Sequence, residues 1–313
     1  MKANRFPFAH TFSIVARDPD NGQMGVAVQS HWFSTGSIVT WAEPGVGVVA
    51  TQSMAEVSYG PLGLSAMREG KPAAIALANL LKKDENREAR QVAMLDAKGS
   101  VVVHTGARCI AEAGHKAGYQ YSVQANMMLR NTVWPAMATA YEASKGPLAD
   151  RLLAALDAAQ AEGGDIRGKQ SAAMLIVSGE ILEQPWKGIL VDLRIEDHPE
   201  PLSELQRLLT VQRAYEHMNR GDDLLSQGLV DEAFLAYRQG ASLAPHLDEL
   251  PFWQAVTLLD SGREEEALPI LGKVIKTDPN WLLLLERLPA AGLLKGDPAM
   301  MRRVKKMVQE TGS

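Results

Sequence analysis

The hydrophobic period changes at Pro201, and that change constrains this chain more than any other feature. Before it, short β-branched runs with period two alternate with turn signals and Ala/Leu-rich helical stretches; after it the pattern is almost pure helix. Two unlike domains are expected: an α+β domain at residues 11–200 and an all-α domain at 201–313, preceded by a leader at 1–10. Within the first, Thr11–Arg17 alternates in strand fashion, Asp18 to Gly22 supplies a turn, and Met24–Ser30 resumes, which predicts a hairpin. Further strands are predicted at 37–41, 46–52, 91–96, 101–105, 122–126, 172–178 and 189–193. Helices are predicted at 62–69, 73–82, 132–144 and 148–161, with Pro61 and Pro72 in first-turn positions where a missing N–H is harmless. This succession implies helices covering both faces of layered antiparallel sheets.

Composition excludes several classes. The chain has 313 residues, long enough for two ordinary cores. Its formal charge of −5 and its lack of a Lys/Arg-rich run speak against nucleic acid as a partner. Cys109 is the only cysteine, which forbids an intrachain disulfide and a thiolate-rich zinc site and fits a reducing compartment. The N-terminal segment is a poor secretory signal, and nowhere are there enough consecutive apolar residues to span a bilayer. No membrane partner and a cytoplasmic location are therefore expected. Gly45-Val-Gly47 lacks the remainder of a dinucleotide fingerprint, and no phosphate-binding GxxxxGK[ST] loop, HExxH helix or GxSxG elbow occurs. The expectation is no cofactor and no metal.

The second part carries a 34-residue period: Gly228 aligns with Gly262, Glu232 with Glu266, Ala233 with Ala267 and Pro245 with Pro279. Small alanine at a helix–helix approach, glycine at the turn and proline after the second helix resemble the tetratricopeptide repeat. Two repeats are visible, so 201–219 and 300–309 are expected to act as helical caps; a plain helical bundle is the alternative. Stacked hairpins offer a groove for a protein or peptide partner, and a two-fold homodimer is expected as the commonest soluble oligomer.

With the familiar cofactor and serine signatures missing, another route to a nucleophile comes forward. A threonine hydroxyl is weak at neutral pH, but the first residue of a chain can use its own α-amine as the base. That amine ordinarily titrates at about 7.7–8.0, close to the working pH. Thr11 heads the first strand, and removal of residues 1–10 would expose it. Otherwise Thr11 is a β-branched residue opening a strand.

Six ordered blocks carry a resemblance: TFSIVARD at 11–18, GVAVQSHWF at 25–33, GVGVVATQ at 45–52, SYGPLGL at 58–64, YSVQAN at 121–126 and GGDIRGKQS at 163–171. Together they resemble the N-terminal-nucleophile (Ntn) hydrolase-like family catalogued as domain of unknown function 1028. The resemblance implies a four-layer αββα sandwich and does not supply the substrate. With Thr11 as nucleophile on that fold, the expected activity is hydrolysis of an amide C–N bond in a small amide, N-acyl or ureido substrate. Many members begin Met-Thr-Phe-Ser, so that loss of methionine frees the threonine; here cleavage between His10 and Thr11 is required. The competing reading is a non-enzymatic binding protein that holds a peptide on its helical repeats.

The remaining candidates follow from placement. Ser13 shares a strand face with Thr11 and would line the same pocket or pack in the sheet. Ser30 and His31 end the second hairpin strand, which brings them near Thr11, with His31 as base, substrate binder or structural hydrogen-bonder. Gln52, Gln124 and Asn126 stand at strand ends as oxyanion donors or satisfied strand polar groups. Asp165 and Arg167 would anchor a substrate carboxylate or brace their glycine-rich loop. Cys109 is expected to be a buried small residue.

Overall fold

The computed structural model describes residues 8–311, so residues 1–7 of the expected leader lie outside the described residues. The chain divides into two compact units, Met1–Arg207 and Leu208–Ser313.

The first unit is built on two antiparallel sheets. One holds β1 (Phe8–Ala9), β4 (Thr40–Glu43), β5 (Gly47–Met54), β6 (Arg90–Asp96) and β7 (Val101–Thr105), with β1 and β4 end to end along one edge of β5. The other runs β11 (Ile189–Ile195), β10 (Ser171–Val177), β3 (Met24–Ser30), β2 (Thr11–Arg17), β9 (Tyr121–Ala125) and β8 (Gly114–Gly118). The hairpin register pairs Thr11 with Ser30 and Arg17 with Met24.

Two departures from the sequence expectation have local causes. Residues 37–41, expected as a strand, begin instead with one helical turn, α1 (Gly36–Val39), before β4. Ser37 Oγ donates to the Ser34 carbonyl at 2.8 Å and Thr40 Oγ1 to the Gly36 carbonyl at 2.8 Å, local bonds that favour a turn over a ladder. Strand β8 reads GHKAG and carries almost no strand propensity; its pairing with β9 makes it a strand, and its Lys116 sits on the sheet edge.

Helices α2 (Tyr59–Arg68) and α3 (Ala73–Lys83) pack on the first sheet, where Leu64, Met67 and Leu77 meet Val49, Val92 and Met94. Helix α2 starts three residues before the predicted position, with Ser58 at its N-cap position and Pro61 within its first turn. Helices α4 (Val133–Ala143) and α5 (Leu148–Ala161) pack against the second sheet. There α5 lies so close to β3 that a Cβ on Gly25 would stand 2.7 Å from Leu152. The facing sides of the sheets enclose Val15, Val26, Val28, Val48, Ala50, Ala93 and Leu95, each buried side chain of this size contributing roughly 1–3 kcal/mol.

Strand alternation fixes which residues share that enclosed space. Because Val15 faces inward, so do Ser13 and Thr11 on β2; by the same count Ser30 on β3, Gln52 on β5, Gln91 on β6 and Gln124 on β9 face inward. The inter-sheet layer is apolar at one end and densely polar at the other.

In the second unit, α7 (Val230–Leu243), α8 (Glu249–Asp260), α9 (Glu264–Thr277) and α10 (Asn280–Arg287) form successive hairpins. They are flanked by α6 (Pro201–Ser226) and α11 (Pro298–Thr311), which cover both segments expected to be caps. The turns at Gly228 and Gly262 are built alike. Their φ angles are +78° and +77°, and Leu229 N–H bonds the Leu224 carbonyl at 3.0 Å as Arg263 N–H bonds that of Leu258 at 2.8 Å. Ala233 and Ala267 are both fully buried. Nothing lies within 4 Å of a Cβ at either glycine, so conformation rather than space demands the residue. Among the described residues no helix is long and apolar enough to cross a membrane.

Candidate active site

The polar end of the inter-sheet layer is organised around Thr11 and the residue before it. The chain passes from the first sheet to the second at His10: Phe8 and Ala9 pair with Met54 and Ser53 on β5, and Thr11 opens β2. Ala9, His10 and Thr11 are all buried. The hydroxyl of Thr11 is the conspicuous atom here, because among the described residues Oγ1 has no hydrogen-bond partner although it is shut off from solvent. A native interior seldom leaves such a group unmade, since it forfeits about 1–3 kcal/mol.

The carbonyl of His10, one bond from the Thr11 nitrogen, is gripped by two donors. Ser30 Oγ donates at 2.6 Å and Arg167 Nη2 at 2.9 Å. Ser30 reaches it because hairpin register sets that residue opposite Thr11. Arg167 reaches it because Asp165 aims it: the carboxylate accepts from Arg167 Nε at 3.0 Å, Nη2 at 2.7 Å and the Arg167 backbone N–H at 2.9 Å. Asp165 also accepts from the His31 backbone N–H at 3.2 Å, and its side chain is wholly buried. The loop holding this pair is tied down where Asp165 bridges Met128 and Ile166 N–H bonds the Met127 carbonyl at 3.1 Å.

On the other side of Thr11 a directed chain of side-chain donors crosses both sheets. Gln124 Nε2 donates to Ser13 Oγ at 2.6 Å, Ser13 Oγ to Gln52 Oε1 at 2.6 Å, and Gln52 Nε2 to Gln91 Oε1 at 2.7 Å. Gln91 then donates to Thr105 Oγ1 and to the Ala125 carbonyl, each at 2.9 Å. Asn126 donates to Gln91 Oε1 at 2.9 Å, and its backbone N–H holds the Thr11 carbonyl at 3.1 Å. With its amide nitrogen turned to Gln91, Asn126 presents Oδ1 to His10 Nδ1 at 2.7 Å, which fixes the imidazole proton on Nδ1. Burial is the largest influence on that imidazole and holds its pKa below the ordinary value, with the Arg167 charge acting in the same direction against Asn126 and Asp165.

The expected residues thus occupy three positions. Ser30, Asp165 and Arg167 converge on the His10 carbonyl. Ser13, Gln52, Gln124 and Asn126 belong to a satisfied network that holds the Thr11 strand by its carbonyl, and Gln52, Gln124 and Asn126 do not touch the carbonyl of His10 through any described bond. His31 meets this region through its backbone, while its half-buried ring has Nδ1 3.4 Å from the Lys169 carbonyl. Cys109 is half-buried, bonds the Arg90 carbonyl at 3.3 Å, and has its thiol pKa pushed up by burial, the reverse of what a nucleophilic thiolate requires. Among the described residues no group of three His, Cys, Asp or Glu could hold a metal ion.

Sequence reasoning missed His10 and Gln91. Gln91 carries a signal in its alternation, as a glutamine on the inward face of an otherwise apolar strand, matching Gln52 and Gln124. His10 has none, because its place depends on the chain changing sheets.

The family of unknown function DUF1028 matches residues 11–205. The chain belongs to that family. The DUF1028 match starts at Thr11 and ends a few residues into α6. A crystal structure of a DUF1028 protein from Silicibacter pomeroyi is similar at 31% identity and a TM-score of 0.58, over 64% of this chain and 88% of that one. No curated protein matches.

Proposed function

We propose that the chain is an N-terminal-nucleophile amide hydrolase in which Thr11 is the nucleophile, freed by cleavage of the His10–Thr11 bond. One observation carries the reading: an unpartnered, buried Thr11 hydroxyl next to a carbonyl already held by two donors, one of them cationic. Attack of Oγ1 on the His10 carbonyl carbon closes a five-membered ring, the most accessible geometry for such a step. The C–N bond is exchanged for a C–O ester as the hydroxyl proton passes to nitrogen. Water then hydrolyses the ester, leaving a His10 carboxylate and Thr11 with both hydroxyl and amine free. In later turnovers the amine accepts the hydroxyl proton, Ser30 and Arg167 hold the oxyanion, and the network through Ser13, Gln52, Gln91 and Gln124 positions the strand. The order of helix pair, sheet, sheet and helix pair supports an αββα sandwich of the Ntn type. The start of the family match at Thr11 supports the site of cleavage.

Intact mass and N-terminal sequencing of purified protein test the reading. The expected product begins at Thr11, and Thr11→Ala stays full length and inactive on amides. A full-length chain that hydrolyses amides, or a Thr11→Ala variant that remains active, refutes it.

A second reading, a peptide-binding role for the helical unit, is favoured by a cavity of about 440 Å³ there, lined by Tyr215, Asp222, Glu249 and Trp253 among others. Two carboxylates beside two aromatic rings suit a cationic side chain. The similarity of turns at Gly228 and Gly262 supports a tetratricopeptide-like stack. Retention of the leader in a chain that binds basic peptides and turns over no amide would support this reading alone.

A further inference from the structure

The last residues of the leader lie in the site as a bound acyl group would, and they describe the acyl half of a substrate. This inference rests on the reading of Thr11 as nucleophile. Three features of that segment are recognised separately. Its backbone is recognised by strand pairing, Phe8 with Met54 and Ala9 with Ser53. The Ala9 side chain is fully buried in the same inter-sheet core as Val48, Ala50 and Ala55, where a larger side chain would have to displace packed groups. The His10 side chain is 2% exposed and places an N–H donor on Asn126 Oδ1 at 2.7 Å.

That last contact discriminates by charge as well as by shape. The Asn126 amide nitrogen is committed to Gln91 Oε1, so only an acceptor faces the incoming side chain. A carboxylate there would meet an oxygen lone pair in a buried place. A cation would enter the same buried space with the Arg167 guanidinium close by, and burial and that charge already disfavour the protonated form of His10. An aliphatic side chain would leave Asn126 Oδ1 without a donor. A neutral group with an N–H, an imidazole or a carboxamide, satisfies it.

We propose that the cleft vacated by the leader takes peptidyl amides: an extended acyl chain paired with β5, a small second residue, and a neutral N–H-donating side chain on the residue that bears the scissile carbonyl. In each turnover Thr11 Oγ1 adds to that carbonyl, its proton passing to the Thr11 amine and then to the departing amine nitrogen. Water cleaves the resulting ester, releasing the peptidyl acid and restoring the threonine. The released carboxylate meets the Ser30 and Arg167 donors, so the acid product is an inhibitor.

The test uses full-length wild-type chain matured until mass spectrometry reads Thr11 as its first residue. Acetyl-Phe-Ala-X-aminomethylcoumarin amides are compared with X as His, Gln, Leu, Lys and Glu. The expected kcat/KM for His and Gln exceeds that for the other three by about tenfold or more, the scale set by one buried polar group left unpaired. Acetyl-Phe-Ala-His with a free carboxylate inhibits competitively, and its Leu counterpart does so more weakly. In Asn126→Asp the preference moves toward Lys, which a merely structural loss would not produce. A chain beginning at Thr11 that hydrolyses none of the five, or all five alike, overturns the substrate proposal and leaves the nucleophile reading standing. A chain still carrying residues 1–10 that nevertheless cleaves amides overturns the nucleophile reading, and this proposal with it.

Discussion

Replacing Arg167 with methionine tests the grip on the His10 carbonyl directly. The substitution preserves most of the side-chain volume and removes the Nη2 donor at 2.9 Å, while the Ser30 Oγ donor at 2.6 Å remains. One preorganised donor to a developing oxyanion is worth about 10²–10³ in rate, or about 2.7–4 kcal/mol. Because the Arg167 side chain is 28% exposed, solvent screens part of that effect, and the lower end, about a hundredfold slower processing, is expected. Asp165 keeps two backbone donors but loses its cation while wholly buried, so the fold is also destabilised, by about 3 kcal/mol. The two effects separate in a time course of cell-free synthesis. Loss of the first ten residues is followed by mass and divided by the folded fraction from circular dichroism. Arg167→Lys, which keeps the charge but not the forked geometry, falls between wild type and methionine. Processing of folded Arg167→Met at the wild-type rate would refute the assignment of an oxyanion role to this residue.

Three further outcomes follow from the structure. Burial holds the His10 imidazole below its ordinary value of 6.5, so the unfolded chain takes up the proton first. The stability of the leader-bound fold is therefore full above that value and falls as pH drops below it. Melting of Thr11→Ala between about pH 8 and pH 5 shows the loss, which Thr11→Ala/His10→Gln lacks. Arg90→Met removes a guanidinium that is 1% exposed, paired with Asp84 at 2.8 Å and bonded to the Met54 carbonyl at 2.6 Å. A loss of about 3 kcal/mol, roughly 6–12 °C in Tm by calorimetry, is expected. Gly262→Ala has room for its methyl group and pays only for its left-handed backbone, about 1–2 kcal/mol, measured by urea unfolding of the full chain.

Much of the first unit is legible in the sequence because its information is local. The alternation of residues 11–17 and 24–30 about a short turn fixes the hairpin, and the hairpin alone sets Thr11 opposite Ser30. The same alternation assigns Gln52 and Gln124 to inward faces. Illegible are the features that depend on distant partners. Arg90 begins a strand as a charged residue and ends almost wholly buried, because Asp84 and the Met54 carbonyl come to it from separate segments. Of the donors on the His10 carbonyl, Ser30 is placed by the hairpin register, whereas Arg167 comes from 157 positions away, and no spacing rule reaches that far. Strand β8 shows the converse case, where a neighbouring strand imposes a conformation its own residues do not favour.

The matching turns at Gly228 and Gly262 have an architectural consequence. A duplicated 34-residue block inserted at either turn would meet the same local backbone, a left-handed glycine whose successor's N–H closes on the preceding helix. The helical unit can therefore be lengthened without a new turn geometry.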